Sequence, residues 1–483
     1  MFLGIDLGTS GVKAILIDAQ QSIIASGHGA LTVQRPHPNW SEQSPEDWVN
    51  AAKQAIDTLR KNAPDAFGQL KAISFSGQMH GATLLDKNGE VIRPAILWND
   101  TRAHLEAKQL DEHPSFRDIS GNIVFPGFTA PKLMWLKTHE TEAFARVAKV
   151  LLPKDYLRFW LSGDYATDVS DASGTAWLDV ANRCWSNELL EASGMTLAQM
   201  PTLVEGNHTS GVLKKEIAQQ WGINHEVLIG GGGGDNAASA VGMGVLEEGH
   251  AFVSLGTSGV LFAATSAYQP NAASAVHTFC HAIENTWHQM GVILSAADAI
   301  NWYAKLVDKP AAELTQALPA YITEPSDVTF LPYLSGERTP HNNAMAKGMF
   351  FGMSHNSDQE TLTQAVLEGV AFALKDNQLA LEAAGTKLQG VTAIGGGAQS
   401  RAWLSILANV LNVPVSIPAA GDYGAAFGAA RLALLTVNDS SPQTVCAPPP
   451  VAEVIEPQPD IVARYHSAHQ RYQALYQKTK DLL

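Results

Sequence analysis

The sequence has few charged residues and few cysteines. Asp, Glu, Lys and Arg make up 16% of its 483 residues, and acidic residues outnumber basic ones, so the formal net charge is −15. Nucleic acids and anionic lipid surfaces attract clusters of basic side chains, so this composition argues against both as partners. The three cysteines, Cys184, Cys280 and Cys446, are scattered and odd in number. They argue against a disulfide framework and favour a reducing compartment.

Long uncharged apolar runs are missing as well. No such run reaches the ~18 residues that a membrane-spanning helix needs, and no basic segment with an apolar core comes ahead of the first predicted strand. We therefore expect a cytoplasmic protein with no membrane partner. At 483 residues, 46% of them hydrophobic, the chain can bury a large core and form about two to four domains.

One six-residue stretch, LGTSGV, occurs twice, as Leu7–Val12 and as Leu255–Val260. Apolar residues precede and follow each copy, which predicts a strand, a tight turn and a second strand. Glycines allow such a turn and let backbone N–H groups approach a ligand, while the Thr and Ser hydroxyls add polar groups, so each turn suits a phosphate. A plain hairpin turn is the alternative for one copy alone. Two identical copies argue for an internal repeat with a shared function.

A run of five glycines, Gly230–Gly234, follows the predicted strand 227–229 and leads into Asp235 and Asn236. Consecutive glycines cost conformational entropy, so the close approach of a ligand explains them better than a hinge does. A predicted helix over 237–241 follows, and a helix N-terminus stabilises an ionised carboxylate. Asp235 is therefore the candidate group for deprotonating an acceptor hydroxyl. A purely structural helix cap is the alternative.

Met79 and His80 follow another predicted strand, 70–75, and polar groups at such strand ends commonly line sites in α/β proteins. A hydrogen-bonded turn or core histidine is the more frequent alternative for His80. Asp100 and Arg102, two residues apart, could hold a ligand hydroxyl or simply pair with each other.

A third junction of strand, glycines and helix lies at 391–411, with Gly396 at its centre. Helix N–H groups there would face an anion. Two hairpin turns that close on one polyphosphate, with the glycine turn at the nucleoside end, predict ATP as the ligand. Asp6, directly before the first turn, is placed to hold Mg²⁺, because hard cations prefer carboxylate oxygen. A strand-end hydrogen bond is its alternative.

Some further segments carry local predictions. The stretch 128–139 is expected to precede a helix, 168–175 to be a loop with helix-capping residues, and 442–459 to be a proline-rich surface stretch. Ser44 and the acidic residues after it predict the start of a helix. Further helices are expected over 362–383, 424–435 and 461–482.

Taken together, these stretches resemble the FGGY carbohydrate kinases, within the actin-like ATPase superfamily, and are most similar to its bacterial xylulokinase branch. The resemblance covers about residues 4 to 430. Its carriers are GIDLGTSGVK at 4–13, GQMHGA at 77–82, LWNDTR at 97–102, GFTAPKLMWLKTH at 127–139, LLPKDYL at 151–157, SDASGT at 170–175, GDN at 234–236, SLGTSG at 254–259, SGERTPHNN at 335–343 and GGGA at 395–398. The Gln78–His80 and 335–343 stretches select the branch.

The resemblance implies an α/β fold of two RNase H-like domains with a deep interdomain cleft. It implies a sugar-binding N-terminal domain over 1–243, an ATP-binding C-terminal domain over 244–483, and a cleft that closes on sugar binding. The implied partners are ATP, Mg²⁺ and a small sugar, and the family often forms homodimers.

The implied reaction is ATP-dependent phosphorylation of D-xylulose at its 5-hydroxyl. Asp235 would be the base, and Asp6 would be the catalytic residue associated with the metal. The sugar contacts implied are Met79, His80, Asp235 and Asn236. The nucleotide contacts implied are Gly8, Thr9, Ser10, Lys13, Gly256, Thr257, Ser258, Gly396, Gly397, Ala398 and Arg401.

Other readings remain. L-ribulose, gluconate and glycerol kinases share the hairpins and the Asp, but their sugar-facing stretches differ. An actin- or Hsp70-like conformational ATPase would lack an acceptor, and Asp235 behind its glycines speaks against it. A catalytically silent sugar sensor predicts a lost base or a broken hairpin, and both are intact. One departure from the family pattern is Thr361, which stands where an acid, amide or His is usual.

Overall fold

The computed structural model describes residues 1–419, 423–438 and 440–482, and the chain forms two compact units. The first comprises Met1–Leu246, Phe279–Trp287 and the described part of Asp422–Pro448. The second comprises Glu247–Thr278, the described part of His288–Gly421 and that of Pro449–Leu483. The domain bounds 1–243 and 244–483 stay a prediction. The compact units differ from them because two segments of the second half pack with the first unit.

The elements up to residue 246 alternate between short strands and helices. Their strands are β1 (Phe2–Leu7), β2 (Gly11–Ile17), β3 (Ile23–Ala30), β4 (Glu42–Gln43), β5 (Ala72–Gly77), β6 (Thr83–Leu85), β7 (Ala95–Ile96), β8 (Lys149–Leu151), β9 (Ala166–Asp168), β10 (Leu178–Asp179), β11 (Cys184–Trp185), β12 (Thr202–Val204), β13 (Thr209–Val212), β14 (Leu228–Gly230) and β15 (Gly233–Gly234). Their helices are α1 (Pro45–Asn62), α2 (Pro64–Phe67), α3 (His104–Asp111), α4 (Pro114–Ser120), α5 (Thr129–His139), α6 (Thr141–Ala145), α7 (Pro153–Ser162), α8 (Val169–Ala172), α9 (Asn187–Ala192), α10 (Lys215–Trp221) and α11 (Asp235–Met243).

The elements after residue 246 include the longest helices. The strands are β16 (His250–Leu255), β17 (Gly259–Thr265), β18 (His277–Cys280), β19 (Trp287–Ile293), β20 (Thr329–Leu331), β21 (Met349–Phe351), β22 (Gly390–Ile394), β23 (Val415–Pro418) and β24 (Val451–Ile455). The helices are α12 (Ala297–Leu306), α13 (Ala311–Ala317), α14 (Gln359–Ala383), α15 (Arg401–Leu411), α16 (Ala425–Thr436), α17 (Pro442–Val445) and α18 (Pro459–Thr479). Across the described part of the chain, no helix combines the length and apolar character needed to cross a membrane.

Two mixed sheets with the same central pattern organise the chain. The first sheet has the order β13-β14-β5-β1-β2-β3, with β15 also pairing with β5. The second has the order β18-β19-β17-β16-β22-β23-β24. In each, an antiparallel hairpin (β1/β2 or β16/β17) has a parallel neighbour (β5 or β22) beside its first strand. The repeated LGTSGV stretch forms the turn of both hairpins, so the predicted internal repeat is confirmed in the topology.

Burial of apolar side chains explains why these elements form. In β1, every residue but Asp6 is buried, as expected of a central strand with helices on both faces. Helix α1 repeats buried residues at helical spacing (Trp48, Val49, Ala52, Ala55, Ile56 and Leu59) and so packs one face on the first sheet. Ser44 stands at its N-cap position as predicted, but its side chain makes no capping hydrogen bond.

Two local predictions are wrong. The stretch 128–139 does not precede a helix, because Thr129–His139 is itself helix α5. The predicted loop 168–175 is the short helix α8 followed by a 3₁₀ turn, and Asp168 caps it as the capping chemistry suggested. The proline-rich stretch 442–459 is mostly exposed, as predicted, and it contains α17 and the edge strand β24, which pairs with β23. At α14, Asp358 is the cap, and it accepts hydrogen bonds from the N–H (2.9 Å) and hydroxyl (2.7 Å) of Thr361.

Helices α11 and α16 lie in very close contact inside the first unit. A Cβ built on Gly428 of α16 would lie 1.7 Å from the carbonyl oxygen of Ala238 in α11. Real Cβ atoms do not approach backbone oxygen so closely, so only glycine allows this packing. The same helix rests on β1, where a Cβ on Gly4 would lie 2.1 Å from the carbonyl oxygen of Ala426. Helix α11, which begins at Asp235, is thereby fixed against the sheet.

We expect Gly428→Ala to lower the free energy of unfolding by roughly 3 kcal/mol, because the added methyl group forces α11 and α16 apart. Chemical denaturation of both proteins measures this difference. Gly68→Ala is the matched control, since a Cβ there meets its nearest atom at 3.5 Å. Equal stability of the two variants would contradict the close contact.

Candidate functional site

Three neighbouring strands of the first unit bring the acidic candidates together. Asp6 of β1 lies opposite Ser76 of β5, and Ser76 also lies opposite Gly233 of β15. Because neighbouring strands are about 4.8 Å apart, Asp6 and the end of the glycine run flank the same point of β5. Asp235 follows two residues later. The structure thus brings the predicted metal-associated residue and the predicted base to one edge of the sheet.

Asp235 is the first residue of α11, and Gly234 occupies the N-cap position. A purely capping role for Asp235 is therefore excluded. Its Oδ1 accepts hydrogen bonds from the backbone N–H (2.7 Å) and the side-chain Nδ2 (3.0 Å) of Asn236. Burial, and then the charge of Asp6, raise the pKa of Asp235 to about 6, while the Asn236 hydrogen bonds lower it. Such a carboxylate is ionised at neutral pH and is still basic enough to accept a proton.

Met79 and His80 line the same region of the first unit. Met79 is 7% exposed, and a Cβ built on Gly234 would lie 3.0 Å from its Cγ and Sδ, so the glycine makes room for this side chain. His80 has a positive φ of 69° and its Nδ1 lies 2.6 Å from the carbonyl oxygen of Gly174. A carbonyl only accepts, so Nδ1 carries a proton and donates it in this hydrogen bond. The hydrogen-bonded turn histidine is confirmed, and its contact with a sugar stays a prediction.

Aromatic rings fix the orientation of the His80 ring. It stacks on Phe128, with centroids 4.6 Å apart and planes 16° from parallel. Phe279 approaches it edge-on at 6.4 Å. Phe279 belongs to the segment Phe279–Trp287, which packs with the first unit. No local sequence pattern signals this contact, because Phe279 lies about 200 positions from His80 along the chain.

The first hairpin turn is held by side chains that sequence reasoning did not assign. Gln43 Nε2 donates to the Thr9 carbonyl oxygen (2.8 Å), and Trp98 Nε1 donates to Thr9 Oγ1 (3.0 Å). Thr9 Oγ1 in turn donates to Gln78 Oε1 (3.3 Å). Gln78 lies beside Met79 and His80 in the stretch that follows a predicted strand, so its position in the sequence indicated a site residue. The positions of Gln43 and Trp98 carried no such signal, since their contacts depend on how β4 and β7 pair.

The other residues of this turn lie where the hairpin predicts. Gly8 N–H closes the turn on the carbonyl oxygen of Gly11 (2.9 Å), and Ser10 is exposed at the tip. Lys13 pairs with Asp6 across the β1/β2 ladder. Asp100 and Arg102, for which two readings were open, pair with each other at 2.6 Å, and both are buried.

The second unit carries its own hairpin turn. The carbonyl oxygen of Thr257 accepts the N–H of Ala296 (2.9 Å), and that of Gly256 accepts the N–H of Ala297 (2.8 Å) at the start of α12. The side chains of Thr257 and Ser258 are exposed beside it. The N–H groups of α12 thus position the turn.

Beside the β22 end, a cavity of about 470 Å³ opens in the second unit. Its walls come from α12, α13, the glycine turn and the start of α15, and include Ile300, Asn301, Thr315, Gln316, Gly396, Gly397 and Arg401. Its volume suits a small organic ligand. A Cβ on Gly396 would meet nothing within 4 Å, so this glycine faces open space.

The helix-start prediction for this turn needs a correction. A 3₁₀ turn over Gly396–Gln399 separates β22 from α15, and Ser400 Oγ accepts the Trp403 N–H (3.3 Å) as the cap of α15. One of the N–H groups expected to face an anion is therefore already bonded. Ala398 is partly buried against the core, and Arg401 forms an ion pair with Glu453 at the cavity edge.

Comparison with known proteins agrees with this architecture. The N-terminal domain of the FGGY family of carbohydrate kinases matches residues 1–242, and its C-terminal domain matches residues 251–437. Xylulose kinases of Klebsiella pneumoniae and of Escherichia coli K12 are 47% and 46% identical over 100% of each chain.

Solved structures share the two-domain α/β fold. A xyloylose kinase from Brucella ovis is 56% identical, with a TM-score of 0.99 over 100% of both chains. Glycerol kinase from Plasmodium falciparum with ADP is 20% identical, with a TM-score of 0.86 over 97% of each chain, and so shares the fold. The chain belongs to the FGGY family of carbohydrate kinases.

Proposed function

We propose that this chain transfers the γ-phosphoryl group of ATP to the 5-hydroxyl of D-xylulose. The observation that carries the proposal is the placement of Asp235 at the start of α11, beside Asp6 and behind a run of glycines. The names of the relatives support the sugar, since the K. pneumoniae and E. coli proteins are xylulose kinases.

In the proposed step, Asp235 accepts the proton of the acceptor hydroxyl. The hydroxyl oxygen forms a bond to the γ-phosphorus, and the bond from that phosphorus to the bridging oxygen breaks, leaving ADP. Asn236 donates two hydrogen bonds to Oδ1 of Asp235, which orient the carboxylate, and Oδ2 is the oxygen proposed to accept the proton. Met79, His80 and Asn236 are the proposed sugar contacts.

The residues present fit ATP. The cavity beside Gly396 and Gly397 has room for a nucleoside, and Arg401 adds a cation at its edge. Backbone N–H and hydroxyl groups at the turns 8–10 and 256–258, with Lys13, are the proposed phosphate contacts. Ala398 supports the glycine turn from the core side. We assign most of the sugar contacts to the domain over 1–243 and most of the ATP contacts to the domain over 244–483.

Asp6 has the donor chemistry that Mg²⁺ prefers. Among the residues that the structure describes, no group of three or more His, Cys, Asp or Glu side chains could hold a metal ion by itself. A metal here would therefore share its coordination with phosphate oxygens, and it would supply neutralisation of charge on the transferred group. We also propose a cytoplasmic location, which the composition predicts, and a homodimer, which the family resemblance implies. Light scattering of the purified protein tests the dimer.

The substrate is tested by ADP release from Mg·ATP with D-xylulose, D-ribulose, L-ribulose, gluconate, glycerol and no sugar. We expect kcat/KM to be highest for D-xylulose. A gluconate kinase and a glycerol kinase share this fold, so a preference for either sugar would redirect the roles given to Met79 and His80. ADP release that ignores every sugar would instead favour a conformational ATPase.

Asp235→Asn should lower kcat with D-xylulose by at least about 100-fold, because the amide cannot accept the proton. The change keeps the shape of the side chain, so thermal unfolding should stay within a few degrees. Asp57→Asn, at a position exposed on α1, is the control and should keep full activity. A kcat for Asp235→Asn within threefold of the native value would rule out the proposed base.

The pH dependence should follow the pKa of Asp235. Because its carboxylate must be ionised, kcat/KM for D-xylulose should fall as the pH drops through about 6. Asn236→Ala removes a hydrogen bond that lowers the pKa of Asp235. In this variant the fall of kcat/KM at acid pH should therefore occur at higher pH than in the native protein.

Asn182→Ala is the matched control for Asn236→Ala. Asn182 makes the same pair of hydrogen bonds to Asp179, through its N–H (3.0 Å) and its Nδ2 (2.8 Å), on an exposed turn. Its profile should match that of the native protein. If Asn236→Ala leaves unchanged the pH at which kcat/KM falls, a group other than Asp235 controls the rate.

A further inference from the structure

Five charged side chains lie fully buried in the first unit, next to the glycine run. They are Lys154, Asp155, Arg158, Asp168 and Asp171, and each is 0% exposed. Lys154 Nζ lies 2.7 Å from Asp155 Oδ1, 2.7 Å from Asp168 Oδ1 and 3.0 Å from Asp171 Oδ2. Arg158 Nη1 lies 3.0 Å from Asp155 Oδ1. Removing so many charges from water is costly, so their retention calls for an explanation.

Opposite charges face each other throughout the cluster. Burial lowers the pKa of Lys154, but the charges of Asp155, Asp168 and Asp171 raise it by more, so the amine stays charged. Burial raises the pKa of Asp171 well above its usual range, against the opposing effect of Lys154. The ion pairs from Lys154 and Arg158 hold the three aspartates together, so the cluster can act as an anchor.

The anchor is bonded to the glycine run. Asp168 caps α8 by accepting a hydrogen bond from the N–H of Ser170 (2.9 Å), and it accepts a second hydrogen bond from the Ser170 hydroxyl. Ser170 Oγ in turn accepts the N–H of Gly234 (3.1 Å), the residue directly before Asp235. From the other side, Arg158 Nη2 donates to the carbonyl oxygen of Gly231. Glycines alone have little conformational preference, so these bonds define the path of the run.

The same short segment is bonded to the candidate sugar residue. After α8, the chain makes the 3₁₀ turn Ser173–Thr175, and the carbonyl oxygen of Gly174 accepts the hydrogen bond from His80 Nδ1 (2.6 Å). A Cβ built on Gly174 would lie 2.5 Å from that Nδ1, so the turn lies directly against the ring. The segment 168–175 therefore contacts both sides of the candidate acceptor site.

We propose that Ser170 and Gly174, in the segment Asp168–Thr175 that Lys154 anchors, are the positioning residues of the acceptor site. Ser170 fixes the backbone in front of Asp235, and Gly174 fixes the ring of His80. Neither residue is proposed to touch the reacting atoms. This inference rests on the proposed function, since it assigns to both residues a role in orienting its base and its sugar contact.

Ser170→Ala tests the proposal, because it removes the hydroxyl that joins Asp168 to Gly234. We expect kcat with D-xylulose to fall roughly 10-fold or more, since small displacements of a reacting group have large effects on rate. KM for ATP should not change, because the ATP contacts proposed above lie elsewhere. Ser170→Thr keeps the hydroxyl and should restore kcat to within a fewfold of the native value.

Ser173→Ala is the matched control in the same segment. Ser173 is also fully buried, its Oγ accepts a backbone N–H (that of Cys280, 3.0 Å), and it donates to the carbonyl oxygen of Val169 (2.8 Å). It bonds to neither Gly234 nor His80. The two alanine variants should lose similar thermal stability, while Ser173→Ala keeps kcat per folded molecule within about twofold.

The results separate the inference from the proposed function. If Asp235→Asn is inactive but Ser170→Ala and Ser173→Ala have equal kcat, the segment is only structural and the inference is overturned. If Ser170→Ala does not fold, Ser170→Cys, with a weaker hydrogen-bonding thiol of similar size, takes its place and should show an intermediate kcat. Native kcat in Ser170→Cys would also overturn the inference. If Asp235→Asn remains active, the proposed function itself fails.

Discussion

Two carboxylates share one edge of the first sheet, and the rest of the site depends on how their repulsion is controlled. Asp6 and Asp235 flank the end of β5, and the charge of Asp6 raises the pKa of Asp235. Burial adds to this effect, while the hydrogen bonds from Asn236 oppose it. The outcome is a base that is ionised at neutral pH, next to a carboxylate suited to a divalent cation. Any change in burial or in hydrogen bonding at this edge changes both properties.

The repeated hairpin shows how one local structure is supported in two ways. In the first unit, side chains of Gln43, Gln78 and Trp98 hold Thr9. In the second unit, N–H groups at the start of α12 hold the carbonyl oxygens of Gly256 and Thr257. The backbone geometry of the turn is thus common to both halves, while its support differs. This difference leaves each half free to adapt its surroundings to a different ligand.

Much of the fold follows from short-range signals in the sequence. The hairpins, the strand before the glycine run and the helix at Asp235 depend on local turn chemistry and apolar spacing, and they are confirmed. Contacts between distant residues could not be predicted this way. Phe279 contacts His80, and Lys154 contacts Asp168 and Asp171, only because the chain folds back. Strand β24 escaped prediction for the same reason, since its pairing with the distant strand β23 defines it.

Titrating the carboxyl group of Asp235 is the most direct test of its role as the base. Carbon-13 NMR of protein labelled at aspartate carboxyls, compared with Asp235→Asn to identify the signal, gives its midpoint without relying on turnover. We expect a pKa of about 6, raised by burial and by Asp6. We also expect a lower midpoint in Asp6→Asn, because removing the neighbouring charge favours ionisation. A midpoint at the ordinary value of about 4, unmoved by Asp6→Asn, would contradict this role.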